Sequence, residues 1–433
     1  MEFHGSKTWD LLEEEQRISS PARHSCPSFH PSTEHEPRLS FSRHSVSSPG
    51  GSPWKKLHSI PRSPSPSILY LCLASLESQG GNVLSIAISR GIVYTGSESE
   101  RLRVWKQPDC TDQGYIKTGH GEIRAILACG STVFTSHKDH RVRVWSVTVT
   151  DRLRAKKLAT FPQRHSFLSL QRRRRGNQLH KDCISCIACN YVEGILYTGS
   201  WDGMVKAWRL VKRECVDSFV AHEERVNAMA VNQEDGCLFT GGSDGVVKVW
   251  RRVFGDSSHA LVGMMRFEGT VVNAVVVSEG SRRRWWVYAG RGDGCVSVMQ
   301  KEEVGGRYRK GGVLKGHRYG VLCLGVVERL VFSGSEDTTI RVWRRDGEGG
   351  HECVAVMEGH RGPVRSLVAR VEVVEEVIGV LVYSASMDRV VKVWRVKVMV
   401  REREEEEEEC GVGESPVLSP LWVEKKLQRG VSY

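Results

Sequence analysis

The sequence predicts an all-β protein assembled from seven copies of one strand-rich unit, and three observations carry that expectation. A stretch of fifteen residues recurs: "LYTGSWDGMVKAWRL" (196–210) returns as "LFTGGSDGVVKVWRR" (238–252). From Ile68 onward the chain runs in short apolar alternations broken by Gly, Ser, Asn and Asp. That is the pattern of strands joined by tight turns, not of strands alternating with helices. The 433 residues include 43 Gly and 12 Trp, a wealth of turn formers and large aromatics common in all-β folds.

Aligned on their terminal aromatic, the copies end at Trp105, Trp145, Trp208, Trp250, Met299, Trp343 and Trp394. Six residues before those ends stand Ser99, Asp139, Asp202, Asp244, Asp293, Asp337 and Asp388. Ten before stand Thr95, Thr135, Thr198, Thr240, Ala289, Ser333 and Ser384. Five copies carry a His further upstream: Gly119-His120, Leu179-His180, Ala221-His222, Gly316-His317 and Gly359-His360. A single unit of this kind cannot bury both of its faces; stacking it against its neighbours does.

These residues resemble the WD40 repeat family over about residues 68–397. The resemblance implies a seven-bladed β-propeller of four-stranded blades around a central channel. It also implies a role for each repeated residue. The Trp would donate its indole N–H to the Ser/Thr, the hydroxyl would meet the loop His, and the His would meet the turn Asp. A hydroxyl and a neutral imidazole each donate and accept, so every member can be satisfied. The complete sets are His120/Thr135/Asp139/Trp145, His180/Thr198/Asp202/Trp208, His222/Thr240/Asp244/Trp250, His317/Ser333/Asp337/Trp343 and His360/Ser384/Asp388/Trp394. The first repeat lacks the His and has Ser99 for Asp, and the fifth keeps only Asp293. Five copies of a Ser/Thr, His and Asp set read as structural locks, so no catalytic residue, cofactor or metal ligand is expected and the protein is read as a non-enzyme. The family further implies that "ILYLCLASL" (68–76) completes the last blade, whose own strands end at "VVKVWRV" (390–396), which removes exposed edges.

A narrower likeness is carried by the order of repeat variants and by "AHEERVNAMAV" (221–231), "LKGHRYGVLCL" (314–324) and the ending "SPVLSPLWVEKKLQ" (415–428). These stretches resemble the plant WD-repeat proteins grouped with JINGUBANG, which implies a regulator of pollen germination. The loop "PQRHSFLSLQRRRRGNQL" (162–179) and the fifth repeat depart from that group.

The flanks differ in kind. Residues 1–67 form a Ser/Pro/His-rich arm with Ser-Pro pairs at Ser20, Ser48, Ser52, Ser63 and Ser65. Its composition buries too little apolar surface to offset chain entropy, so it is expected to be disordered and open to Pro-directed phosphorylation. Residues 398–433 hold the acidic run Glu404 to Glu409 and a short extension. The first residues contain no apolar signal region, and no stretch approaches eighteen uncharged apolar residues. The thirteen Cys are irregularly spaced. Together these predict a cytoplasmic protein with reduced thiols and no membrane insertion.

The net charge is +11, and residues 151–182 hold ten Lys/Arg against two Asp. Within them, the run Arg172, Arg173, Arg174 and Arg175 has three readings: a nuclear-import signal, a phosphate-contacting patch or a solvated loop. No aromatic platform interleaves with the run, which disfavours nucleic acid. Arg282 to Arg284, before Trp285 and Trp286, form a second basic spot. "CISCIAC" spaces Cys183, Cys186 and Cys189 like cluster ligands, but in a strand residues three apart face opposite ways, so they read as buried thiols. "RGD" (291–293) reads as a turn of the fifth repeat, and His24, His30, His35 and His44 have no ligand framework.

The expected function is a monomeric, non-catalytic scaffold that binds protein partners and regulates signalling or growth. A substrate receptor of a cullin-type ubiquitin ligase is the alternative, with a nucleic-acid-binding propeller behind it. Receptors of that kind usually carry Trp-Asp-x-Arg at a repeat end. Here Lys106, Ser146, Arg209, Arg251, Arg344 or Arg395 follows the Trp, never Asp. The partner face is expected to be the one built from the His loops and Asp turns. On it, Lys138, Trp201, Glu336 and Met387 precede turn aspartates, and Arg318, Tyr319 and Arg361 flank the Gly-His pairs. Exposed Trp, Tyr and Arg are the commonest hot-spot residues.

Overall fold

A computed structural model of the chain describes residues 68–119, 121–163, 179–253, 258–280, 284–302, 308–374 and 377–398. Their strands form seven antiparallel sheets of four, the seven-bladed all-β propeller that the repeats predict. The first strands of the blades are β2 (Val83–Ser89), β6 (Ile123–Cys129), β10 (Ile184–Asn190), β14 (Val226–Val231), β18 (Val272–Glu279), β22 (Val321–Val327) and β26 (Val364–Val374). Each contacts the next, and β26 returns to β2, so they ring the axis. The seventh sheet runs β1 (Ile68–Glu77), β28 (Val390–Val398), β27 (Val377–Ser386), β26. There the first strand of the described chain pairs antiparallel with the last, from Ile68 opposite Val398 to Glu77 opposite Val390.

The core lies between blades, which explains the repeated Trp. Trp208 of the third blade packs with Phe134 and Val142 of the second, and Trp250 of the fourth with Tyr197 and Val205 of the third. Trp145, Trp343 and Trp394 likewise cover the blade before their own. Each indole is an apolar plate laid on a neighbouring sheet. The second strands, such as Ile195–Ser200, are buried along their whole length, so they read as apolar runs ending in small residues. Gly199 shows why: a Cβ there would lie 2.8 Å from Val226 Cγ1 of the next blade.

Every first strand carries a β-bulge near its start, as at Ile184/Cys186, Val226/Ala228, Val272/Ala274, Val321/Cys323 and Val364/Ser366. A bulge breaks the two-residue alternation and re-aims one side chain. Ser185, Asn227, Asn273 and Arg365 are turned by it to the channel wall. In blades two to seven the carbonyl just before the bulge is taken by the preceding blade. Ser85 Oγ donates to Ile123 O at 3.4 Å, and Ser136 Oγ to Ile184 O at 3.1 Å. Ser185 Oγ donates to Val226 O. Asn227 Nδ2 donates to Val272 O at 3.0 Å and Asn273 Nδ2 to Val321 O at 3.1 Å. Cys323 Sγ reaches Val364 O at 3.3 Å. The seventh blade meets the first when the Ile86 N–H donates to Ser366 Oγ at 3.2 Å. The seven blades are thus joined in a ring by polar side chains as well as by apolar packing.

Candidate functional site

The face that carries the upstream His loops and the Asp turns is held rigid by hydrogen-bonded chains. In the third blade Trp208 Nε1 donates to Thr198 Oγ1 at 3.0 Å, Thr198 Oγ1 lies 2.8 Å from His180 Nε2, and His180 Nδ1 lies 3.1 Å from Asp202 Oδ2. The fourth blade repeats this through Trp250, Thr240, His222 and Asp244, with His222 Nδ1 2.9 Å from Asp244 Oδ1. Trp343, Ser333, His317 and Asp337 do so in the sixth blade, and Trp394, Ser384, His360 and Asp388 in the seventh. One proton assignment uses each group once: indole to hydroxyl, hydroxyl to Nε2, and Nδ1–H to carboxylate, with the imidazole neutral. Burial pushes the pKa of all four imidazoles below the ordinary value, against the raising effect of the paired carboxylates.

The aspartates also tie loop to turn. Asp202 Oδ2 accepts the Lys181 N–H at 2.7 Å and its Oδ1 the Met204 N–H at 3.0 Å. Burial alone would raise its pKa, but the His180 hydrogen bond and charge and those backbone N–H groups bring it down to about 2. The residue after it, Gly203, takes φ +76°, and a Cβ there would lie 2.5 Å from His222 O of the next blade.

In the second blade, where His120, Thr135, Asp139 and Trp145 are the expected set, the described residues bring in another histidine. Trp145 Nε1 donates to Thr135 Oγ1 at 2.9 Å, but the imidazole beside that hydroxyl is His137 Nε2, at 2.8 Å. His137 stands two residues on along the same strand, hence on the same face. Asp139 grips Arg143 through Nη1 at 2.9 Å and Nη2 at 2.5 Å. That guanidinium is only 2% exposed, so it requires a counter-charge, and its fork fits a carboxylate. His120 lies outside the described residues. In the first blade Trp105 donates to Thr95 at 3.1 Å, and Ser97 and Ser99 pair at 2.9 Å. In the fifth, Ala289 and Met299 supply no polar partner, and Asp293 contacts Arg291 within the RGD turn.

Of the residues singled out for the partner face, Lys138, Arg318, Tyr319, Glu336, Arg361 and Met387 are exposed. Trp201 differs from the outward projection that its turn position suggests. It is half-buried, its ring stacked between Arg124, 4.4 Å from the centroid, and Arg225, 4.7 Å away. Arg124 comes from the second blade and Arg225 from the loop entering the fourth, so the clamp joins three blades. Beside it a cavity of about 170 Å³ opens on the axis, lined by Ser185, Trp201, Arg225, Asn227, Ser243, Asn273 and Arg365. The sequence reading missed these arginines and asparagines.

Cys186 belongs to the core between blades three and four and Cys189 to that between two and three, so they face opposite ways. Burial raises both thiols, Cys186 to about 12. The basic run expected to serve nuclear import, Arg172, Arg173, Arg174 and Arg175, lies outside the described residues, so the fold assigns it no place on the partner face. Arg282, Arg283, the four N-terminal His, the Ser-Pro pairs and the acidic run lie outside them too. Among the described residues no helix is long and apolar enough to cross a membrane.

Seven blades, an inter-blade Trp plate and, among the described residues, a complete Trp–Ser/Thr–His–Asp chain in four of the blades define a repeat propeller. The family described as "WD domain, G-beta repeat" matches residues 113–146, 174–209, 213–251, 309–344 and 351–395. These are blades two, three, four, six and seven; the unmatched first and fifth lack the His. The chain belongs to the WD40 repeat β-propeller family. It is 37% identical over 89 residues to "Probable cytosolic iron-sulfur protein assembly protein 1" of Neurospora crassa, covering 21% of this chain and 18% of that protein. It is 40% identical over 65 residues to the protein of the same name from Pyricularia oryzae, covering 15% and 14%. The chain therefore spans less than a fifth of the length of these curated relatives.

Proposed function

We propose that the protein is a non-catalytic scaffold that gathers protein partners on the face of the His loops and Asp turns. Propellers of this family generally serve as such platforms. The observation that carries the reading is the Trp201 clamp: an indole stacked between two guanidiniums and bordering an open cavity, with Arg318, Tyr319 and Arg361 exposed in the His loops of other blades. Trp, Tyr and Arg held in place give binding area at low ordering cost. The likeness to the JINGUBANG group supplies the setting, a plant regulator of signalling or growth such as pollen germination and tube growth. It rests on the quoted stretches alone. The setting is cytoplasmic, with the nucleus added if Arg172, Arg173, Arg174 and Arg175 act in import. The overlap with the iron–sulfur assembly proteins is about two blades long, the scale of the repeat rather than of a function.

Affinity purification with mass spectrometry identifies the partner. Trp201→Ala and Arg318→Ala should then each weaken its capture roughly tenfold, about 1.4 kcal/mol, with Tm nearly unchanged for Arg318→Ala and lowered for Trp201→Ala, which also removes the clamp. Unaltered capture by both would move the site off this face. Recovery of cullin adaptors would favour the ligase-receptor alternative. The nucleic-acid reading is favoured by one feature, a hollow of about 320 Å³ lined by Arg141, Lys157 and Arg213 among others. RNase-sensitive recovery with a steep salt dependence would support it.

A further inference from the structure

We propose that the channel mouth beside Trp201 is a carboxylate pocket, which takes a Glu or Asp side chain from an acidic segment of a protein partner. The proposal rests on the reading of this face as the partner surface and adds the chemistry it selects.

The donors come first. Arg225 and Arg365 both line the cavity, and among the described residues neither guanidinium has a hydrogen bond or ion pair within the protein. Arg124 does have one: its Nε donates to Glu122 Oε1 at 2.7 Å. Arg365 faces solvent but is crowded by the channel wall, and that crowding lowers its pKa, with Arg124 adding to the effect and Glu336 opposing it. Both wall asparagines are committed through Nδ2: Asn227 serves Ser243 Oγ and Val272 O, and Asn273 serves Val321 O. The charged donors left to a ligand are the Arg225 and Arg365 guanidiniums, whose planar fork fits a carboxylate with two parallel hydrogen bonds.

Pairing narrows the class of anion. Arg124 is already paired with Glu122, and the Glu336 charge acts on Arg365. The positive charge left to a ligand is thereby reduced, which suits a monoanionic carboxylate better than a phosphoryl group, which carries about −1.5 to −2. The volume of about 170 Å³ admits one side chain. The Trp201 ring holds Arg225 in place before anything binds, so little ordering cost is left to the encounter.

The test uses the full chain and fluorescence polarisation with a labelled peptide, Gly-Ser-Glu-Glu-Ser-Gly, its ends blocked. Versions with Gln for both Glu, and with phosphoserine in place of one Glu and Gln in place of the other, form the second and third arms. The Glu peptide should bind at least tenfold tighter than the Gln peptide. Arg225→Gln and Arg365→Gln should each remove tenfold or more of that preference. Arg309→Gln, on the outer strand of the fifth blade, should leave it unchanged, and matching Tm values show that the variants are folded. Equal binding of Glu and Gln peptides, or indifference to Arg225 and Arg365, overturns the proposal. So does a phosphoserine peptide that binds while the Glu peptide does not exceed Gln. The wider reading fails separately. If capture of the native partner depends on Trp201 and Arg318 but not on Arg225 or Arg365, the face is right and the carboxylate wrong; if it depends on none of the four, the face is wrong.

Discussion

Asn273 donates its Nδ2 to the carbonyl of Val321, 3.1 Å away and one blade on. A β-bulge in β18 turns the amide to the channel, and a second in β22 follows the carbonyl that receives it. Asn273→Ala removes the donor and leaves a carbonyl of the inner ring unserved, at a cost of about 1–2 kcal/mol. Asn273→Asp keeps the shape but offers only acceptors when ionised, and should cost at least as much at pH 7. Urea unfolding of the two variants decides it; a midpoint equal to that of the parent for both would show the bond to be incidental.

Asp244→Ala strips His222 Nδ1 of its acceptor and the turn of its tie to Val246 N–H. The expected loss is roughly 1–3 kcal/mol. Glu268→Ala, at an exposed loop position, is the control and should leave Tm within a degree or so of the parent.

Asp139→Ala should cost more than Asp244→Ala. It leaves the Arg143 guanidinium, 2% exposed, without its counter-charge. Stranding a buried charge typically costs 3–5 kcal/mol, and the 30% exposure of Asp139 lowers this to about 3. Replacing both at once, Asp139→Leu with Arg143→Met, should recover much of the loss. A double variant as unstable as the single one would show that the pair acts otherwise.

Acid should weaken the propeller in two stages. His180, His222, His317 and His360 sit below the ordinary 6.5, because burial disfavours their charged form. The folded state then binds fewer protons than the unfolded one, so this part of the stability is whole above 6.5 and drains as pH falls through and below it. The carboxylates follow. Asp202, held at about 2, and the lowered Asp337 and Asp388 contribute stability above 3.8 that is lost as pH falls towards 2. Scanning calorimetry between pH 8 and 4.5 should show Tm dropping before the carboxylates titrate. A level Tm down to pH 5 would mean that the imidazoles are not held neutral.

Removal of β1 should separate folding from the rest of the N-terminal arm. A chain lacking residues 1–60 retains β1, and soluble yield should persist. One lacking 1–76 exposes the edge of β28, whose partner β1 supplied, and an unpaired edge invites aggregation. A longer deletion that stays monomeric, with an unchanged Tm, would make the pairing dispensable.

Periodicity made the fold legible, because Trp208, Trp250, Trp343 and Trp394 do the same work in each blade and must recur. The same habit hid the channel mouth. Arg124, Asn227, Asn273 and Arg365 share one structural position, the bulge, yet differ from copy to copy, so alignment of repeats discards them. Trp201 stood out as a Trp in a polar turn, but its partners come from sequence positions 124 and 225 on adjoining blades. The second repeat holds His120, His137 and His140, and residue type alone does not say which of them meets Thr135. His137 does, through the two-residue strand period.

The pairing of β1 with β28 also sets a timetable. The first propeller strand to leave the ribosome finds its partner only when β28 emerges about three hundred residues later, on the order of tens of seconds at ordinary translation rates. Until then six blades can stack in order while the seventh has no fourth strand and the circle has a gap. Sealing that gap is the final act of biogenesis. A ribosome that stalls within the last blade leaves an open arc with two bare sheet faces, a ready client for chaperones and proteases.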